Sequence, residues 1–549
     1  MKKLATLLLA AGMVLGSFAG AQAIDWKVRG AWTMEFGVYD GLHFTKDTVN
    51  TQRGSALGKR HEAGAGDGGD TFKSGQRIDL WLDAVASENL SGSLRLEIGG
   101  WQWGKQWSGV SAGARGTGGA MGQRAVDIGV REAYLDWFVP QTELKFRMGL
   151  HTITNPSFTG TSTVIAENMT GITASYKFND NVSLAAFWGR PYNDNYNYDS
   201  NNKTAQSGFM DNIDVFGLIL PLSFDGVKVT PWGAFAGIGP NSITGTYANT
   251  AGNNRFPLML AGMSPPFATS NSFKDNKTPG PLRSYGTAWW LGLTGDITAA
   301  DPFRFAWDFN YGGVSWDSNK GASFLNRQGW LLNLLAEYKF DWGVPGLIFW
   351  YGSGDDSNPK NGSEQMPVFE IWNPDSAISN FGMNGSPVGA LNEGILGVNF
   401  QTGTWGAGLR VRDVSFIEDL KHTLRVNFFG GTNDPQMAKY ILGKKTSGNV
   451  KWDYQADFNS VNTMPLIGGN GNTGNGLYLT RQDYGVEVNI DTIYKIYDNL
   501  SMIVELGYIH LWLDQSKAVW GAKEGIGSAH RGLNLTDAMK ASVYFRYQF

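Results

Sequence analysis

Residues 77–98 read Arg-Ile-Asp-Leu-Trp-Leu-Asp-Ala-Val-Ala-Ser-Glu-Asn-Leu-Ser-Gly-Ser-Leu-Arg-Leu-Glu-Ile. Ile78, Leu80, Leu82, Ala84 and Ala86 alternate with Arg77, Asp79, Trp81 and Asp83. After a polar interval from Ser87 to Gly92 the alternation resumes, with Leu94, Leu96 and Ile98 against Arg95 and Glu97. Successive side chains of a β-strand point to opposite faces, so each stretch has one apolar and one charged face. Two such stretches joined by a short polar turn are a hairpin.

The pattern recurs along the chain. Leu144, Phe146, Met148 and Leu150 oppose Lys145 and Arg147, and Phe303, Phe305, Trp307 and Phe309 oppose Arg304, Asp308 and Asn310. Leu424, Val426 and Phe428 oppose Arg425 and Asn427; Val486, Val488 and Ile490 oppose Glu487 and Asn489. A soluble β-sandwich also alternates, but its strands run about five or six residues, whereas strands of about nine or more cross a bilayer when tilted. In hydrocarbon every backbone N–H and C=O must be paired within the protein, so a spanning sheet has to close on itself. The expected fold class is all-β, a closed antiparallel transmembrane β-barrel.

Export supports that expectation. Lys2 and Lys3 precede an apolar run from Leu4 to Phe18, and Ala21-Gln22-Ala23 supplies small residues for cleavage. Residues 1–23 therefore read as a secretory signal peptide and 24–549 as one barrel domain. After Ala23 no apolar stretch is long enough for a spanning helix. Short turns near 87–92, 140–142, 179–181, 224–226, 298–301, 341–345, 416–421 and 492–499 alternate with long polar connections. The latter cover 37–73, 102–124, 151–170, 190–211, 237–284, 312–327, 353–403, 431–478 and 511–537. Short periplasmic turns and long extracellular loops fit a bacterial barrel of about 18 strands, or 16 if one hairpin is misread. The segment 125–139 changes phase, from Val126, Ile128 and Val130 to Ala133, Leu135 and Trp137, which a β-bulge explains.

Composition narrows the chemistry. The chain has 73 Gly, 31 Phe, 21 Trp and 20 Tyr, no Cys, and a formal net charge of −4. No basic surplus points to nucleic acid, and disulfides, thiol catalysis and thiolate metal sites are excluded. Among the six His, no His-Glu-x-x-His pair occurs, and no Gly-x-Ser-x-Gly elbow is present. His61-Glu62 and the Gly64, Gly66, Gly69 spacing lie in a Gly-rich loop without the strand and helix such motifs need. The tract Asn193 to Asn202 and the pair Asp355-Asp356 lack EF-hand spacing for Ca²⁺ and read as polar loop tips. No catalytic residue, metal site or cofactor is expected.

If apolar faces meet lipid, the opposite faces line the interior. That set comprises Arg77, Asp79, Asp83, Arg95, Glu97, Lys145, Arg147, Arg304, Asp308, Arg410, Arg412, Arg425, Glu487 and Glu505. Arg410, Arg412 and Arg425 form a basic group that either favours anions or braces the wall by pairing with carboxylates. Trp26, Trp101, Trp137, Tyr176, Trp188, Tyr338, Trp342, Trp350, Tyr351, Tyr494, Tyr497 and Tyr547 lie near strand ends, where amphipathic rings suit the headgroup region.

The chain ends Ala-Ser-Val-Tyr-Phe-Arg-Tyr-Gln-Phe over 541–549, and Phe545, Tyr547 and Phe549 share one face. This ending looks like the recognition strand that the barrel-assembly machinery reads. From Met1-Lys2-Lys3-Leu4 through Ile24-Asp25-Trp26-Lys27-Val28-Arg29-Gly30 and Val130-Arg131-Glu132-Ala133-Tyr134-Leu135-Asp136 to Phe549, the chain resembles the homotrimeric outer-membrane porins of Desulfovibrio-type sulfate-reducing bacteria. The resemblance implies a homotrimer in the outer-membrane lipids of a Gram-negative cell. Each barrel would pass small hydrophilic solutes and ions, including anions such as sulfate or short carboxylates, through a water-filled pore narrowed by an inward loop. By order that loop is 151–170, although no Pro-Glu-Phe-Gly-Gly type motif occurs there. A sugar-selective channel, a barrel enzyme and an adhesin are the alternatives.

Overall fold

The computed structural model describes residues 24–40, 71–104, 115–116, 118–119, 124–125, 128–160, 162–193, 212–239, 263, 286–316, 326–358, 361–369, 402–437, 479–514 and 537–549. Eighteen long antiparallel strands make the wall. In chain order they are β1 (Asp25–Asp40), β2 (Thr71–Ser87), β3 (Leu90–Trp103), β4 (Ile128–Phe138), β5 (Leu144–Thr154) and β6 (Ala166–Lys177). Then come β7 (Ser183–Asn193), β8 (Asn212–Ile219, resumed at Leu222–Phe224), β9 (Val227–Ile238), β10 (Gly286–Ile297), β11 (Phe303–Trp316) and β12 (Arg327–Tyr338). The last six are β13 (Val344–Gly352), β14 (Thr404–Ile417), β15 (Leu420–Gly431), β16 (Tyr484–Tyr497), β17 (Leu500–Trp512) and β18 (Ala538–Gln548).

Each strand pairs with the next, and β18 returns to β1 with Phe36 opposite Val543 and Thr33 opposite Arg546. The sheet is thus closed, leaving no unpaired edge in hydrocarbon, and the count is 18 and not 16. The phase change in β4 is a bulge: Arg95 faces Glu132 while Leu96 faces Val130, so Arg131 is the extra residue. β8 breaks at Leu220-Pro221, where proline has no N–H to give the ladder.

The turns are tighter than the sequence reading placed them. β2 and β3 are joined by Glu88-Asn89, β14 and β15 by Glu418-Asp419, and β16 and β17 by Asp498-Asn499. Strands likewise extend into the loops, so the connection expected at 151–170 shrinks to 155–165.

One contact fixes which face is inside. Residues 157–159, between β5 and β6, bond to Asp308 on β11. Five strand steps of about 4.8 Å separate β6 from β11, so the contact spans the interior and Asp308 points inward. Phe303, Phe305 and Phe309, of opposite parity, are exposed on the outside. Outer rings gather in two belts. Trp289 meets Tyr311 edge-on at 5.1 Å and Trp330 stacks on Tyr351 at 5.0 Å near the loop ends. Phe303 meets Tyr338 at 4.6 Å, and Phe340 stacks on Trp342 at 5.5 Å, near the turns. From Trp330 to Tyr338 the strand rises about 26 Å, or roughly 20 Å of height at a tilt of about 40°, close to an outer-membrane apolar band.

Two expectations need correction. Trp350 is not in a belt: it is 6% exposed, faces inward over Gly406, and its indole N–H donates to Thr404 Oγ1 at 3.1 Å. Nor do all apolar faces meet lipid. Phe187, Trp232, Trp290 and Leu331 point inward and are buried with Val164, Ile165, Met366 and Phe369 in an apolar core inside the barrel. Inward segments supply the other half of that core.

Candidate functional site

The interior is narrowed by two segments of the connections. The first is the 155–165 connection. Asp308, 2% exposed, accepts hydrogen bonds from Ser157 Oγ at 2.6 Å, Phe158 N at 2.9 Å and Thr159 N at 3.0 Å, and from Thr159 Oγ1. Arg304, on the same strand face, donates to the Phe158 carbonyl at 3.0 Å. A carboxylate and a guanidinium thus grip both polar sides of one short backbone stretch, with the stronger bonds that an ionised partner gives.

The second is 361–369, in the connection after β13. Gln328 N donates to Ser363 O and Ser363 N to Asn326 O, each at 2.9 Å, so this segment runs along the start of β12. Arg327 binds Gln365 O and Oε1, both at 2.9 Å, and the Trp290 indole donates to Pro367 O at 2.8 Å. Phe369 N reaches Val164 O at 2.9 Å, joining the two segments. Above them Asn433, 2% exposed, ties four loop stems. Its Oδ1 accepts from Asp355 N at 2.9 Å and Gln365 Nε2 at 2.7 Å, while its Nδ2 donates to Gly403 O at 3.2 Å and Leu479 O at 2.7 Å.

Charged side chains fill the rest of the inner wall, nearly always in pairs. On β2 to β5, Asp79 sits between Arg77 and Arg95, 3.0 Å from each, and Asp136 between Lys145 at 3.0 Å and Arg147 at 2.8 Å. Glu97 lies 3.4 Å from the bulged Arg131 and 3.8 Å from Arg77, and Asp83 accepts from Ser93 Oγ at 2.7 Å. Across the barrel, Glu337 is shared by Arg304 at 3.1 Å, Arg410 at 2.9 Å and Arg412 at 2.7 Å. Arg410 stands directly opposite Arg425, which bonds Asp491. Lys540 completes the row on Glu505 at 2.6 Å, and Glu487 is buried, accepting from Asn489.

Each charged residue expected in the interior thus has a polar partner, and Arg410, Arg412 and Arg425 bond carboxylates. Missed were Asp296 and Asp491, bonded to Arg304 and Arg425, and the donors Ser157 to Thr159. Asp491 has a signal, since it continues the polar phase of Glu487 and Asn489 in a strand that runs on to Tyr497. Near the turns, Arg304, Glu337, Lys339, Arg412 and Asp413 line a cavity of about 440 Å³.

Inner-wall aromatics are capped by cations. Arg29 and Arg95 lie over the Trp81 ring at 5.1 and 4.7 Å, and Arg147 lies 4.0 Å from the Tyr134 centroid. Among the described residues no group of three or more His, Asp or Glu is arranged to hold a metal ion. His61, Gly64, Gly66, Gly69 and most of the Asn193–Asn202 tract lie outside the described residues.

No family model and no curated protein matches the chain. Solved structures similar to it include Pseudomonas aeruginosa OccK11 (OpdR), at 10% identity over 96% of each chain, with a TM-score of 0.44. Pseudomonas aeruginosa OccK9 (OpdG) is 10% identical over 96% of this chain and 98% of its own, with a TM-score of 0.46. The outer membrane protein OprD from Pseudomonas aeruginosa is 10% identical over 97% of this chain and 95% of its own, with a TM-score of 0.43.

Proposed function

We propose that the chain is an outer-membrane porin through which small hydrophilic solutes and ions diffuse passively. The observation that carries this reading is the closed 18-strand wall, apolar outside and charged inside, narrowed by an inward connection gripped by Asp308. A barrel of 16 to 18 strands leaves an aqueous channel in place of a filled core. The residues Arg77, Asp79, Asp83, Arg95, Glu97, Lys145, Arg147, Arg304, Asp308, Arg410, Arg412, Arg425, Glu487 and Glu505 are taken to line that channel or to hold its wall.

Several finer statements belong to the same reading: cleavage after Ala23, assembly through the Phe545, Tyr547 and Phe549 ending, and a homotrimer of Desulfovibrio type. Phe549 N and O both bond Gly30, at 3.0 and 2.7 Å, so the final residue sits in the closing seam, as an assembly signal would. Sugar selectivity is disfavoured, because the Trp81 ring already carries the Arg29 and Arg95 guanidiniums and Trp290 is buried. Anions such as sulfate or short carboxylates fit the arginine-rich wall, although most of those arginines already have carboxylate partners.

Liposome swelling with a graded series of sugars and anions tests the reading. Small solutes of either kind should equilibrate quickly up to a size limit; folded protein that admits none of them excludes a porin. A salt-gradient reversal potential showing cation preference would remove the anion element alone.

A further inference from the structure

The 155–165 connection has a buried root and a tip held by one side chain. At the root, Val164 and Ile165 have no exposure, Asn155 N bonds Ile165 O at 3.0 Å, and Val164 O takes Phe369 N at 2.9 Å. At the tip, residues 157–159 are held by Asp308, with Arg304 on the Phe158 carbonyl. Root and tip thus rest on different physics: the first on apolar burial, the second on charge-assisted hydrogen bonds to the opposite wall.

Burial of the root also has a cost. Asn155 is 2% exposed, and neither its Oδ1 nor its Nδ2 has a hydrogen-bond partner among the described residues. Thr163 Oγ1 is buried in the same condition. Burial of unpaired polar atoms lowers the stability of the inward arm as a whole, so the arm depends the more on its tip contacts. The Asp308 bonds act against that loss.

We propose that Asp308 is the positioning residue of the constriction, a latch that holds the tip of the 155–165 arm across the interior. The arm has a docked and a released position, and the aperture follows the latch. Its effect on solute passage rests on the porin reading; the latch itself does not.

The chain has no cysteine, so a single introduced thiol reports on one place. Ser162 is 7% exposed in the arm. Ser162→Cys in the folded, detergent-solubilised protein should react slowly with a charged, water-soluble maleimide. Adding Asp308→Ala should speed labelling at least about tenfold, the population change expected when bonds of this class are lost. Asp308→Asn, whose remaining carbonyl oxygen still accepts from backbone N–H groups, should lie between. In bilayers, Asp308→Ala should raise conductance and, in swelling assays, admit larger sugars, with barrel heat stability retained.

A purely structural role would lower heat stability without changing the labelling ratio or the size limit. Should Asp308→Ala not fold, Ser157→Ala with Thr159→Ala removes the two hydroxyl donors and must shift labelling in the same direction. Unchanged labelling in folded variants overturns the latch, whatever the conductance. Faster labelling in a protein that passes no ions leaves the latch standing and overturns the porin.

Discussion

Glu337 lies directly opposite Gly346 across the β12–β13 pair, and Gly346 lies opposite Arg410 on β14, so the Glu337 carboxylate crosses over a glycine to reach Arg410 at 2.9 Å. A Cβ at position 346 would stand 2.8 Å from Glu337 Cγ and 3.0 Å from the Ala336 carbonyl oxygen. Backbone atoms cannot yield there. Gly346→Ala should therefore push Glu337 off its arginines and destabilise the barrel by about 1–3 kcal/mol, as overpacking does. Midpoints of denaturant unfolding in detergent check this; an unchanged midpoint contradicts it.

Removing the carboxylate itself should cost more. Arg410 is 8% exposed at its side chain, and Glu337→Ala leaves it buried without its main counter-charge, beside Arg425. Breaking such a buried pair costs about 3–5 kcal/mol. Adding Arg410→Met should recover part of that loss, and a double-mutant cycle reads the recovery. If the double variant is no more stable than Glu337→Ala, the two side chains are not coupled.

Asn433→Ala should loosen the loop stems together, because one amide supplies bonds to Asp355, Gln365, Gly403 and Leu479. At about 1 kcal/mol net per bond, and more for each group left buried unpaired, the total is roughly 3–5 kcal/mol of local stability. Hydrogen exchange at 353–358 and 403–405 should accelerate while the strand cores stay protected. Acceleration at one stem alone would show that Asn433 does not join them.

Much of the architecture was legible in advance because a period of two survives wherever the two faces meet different solvents. Phe303 to Asn310 reads correctly for that reason, and the β4 bulge announced itself as a phase change around Arg131. Trp350 misled because a ring near a strand end suits the headgroup region, yet this one is buried on the inner face. Elsewhere inward segments cover the wall, so the inner face around Trp232 and Trp290 is itself apolar. Asp308 could be assigned to a face, but its partners Ser157 and Thr159 are about 150 positions away, and no local pattern encodes so distant a contact.

Glu364 gives a pH dependence. Burial pushes its carboxyl above the usual carboxylate range, and Asp356 and Asp355 add to the rise. The folded segment thus favours the protonated form, binding more protons than the unfolded chain as pH climbs through that range. Stability of 361–369 is then full at acid pH and falls as Glu364 ionises. Protection of this segment, measured as exchange relative to the intrinsic rate at each pH, should be greater near pH 4 than near pH 7, and Glu364→Gln should flatten the difference. Lower protection at acid pH than at neutral pH in the native chain would reverse the sign and refute the assignment.

The closing seam offers a test of assembly. The Phe549 ring lies over Gly30, which has no side chain to obstruct it, and stacks on Tyr547 at 5.7 Å. Phe549→Ala should lower the yield of folded protein in the membrane several-fold while leaving any barrel that does form conductive. An undiminished yield would show that the terminal ring carries no assembly signal.

The most direct measurement is single-channel recording from the purified, folded chain in a planar bilayer. Expected are ohmic steps that rise with salt concentration, grouped in threes if the barrels are trimeric. Heat-modifiable, folded protein that inserts yet conducts nothing would mean that the inward segments seal the interior, and the porin would have to be abandoned.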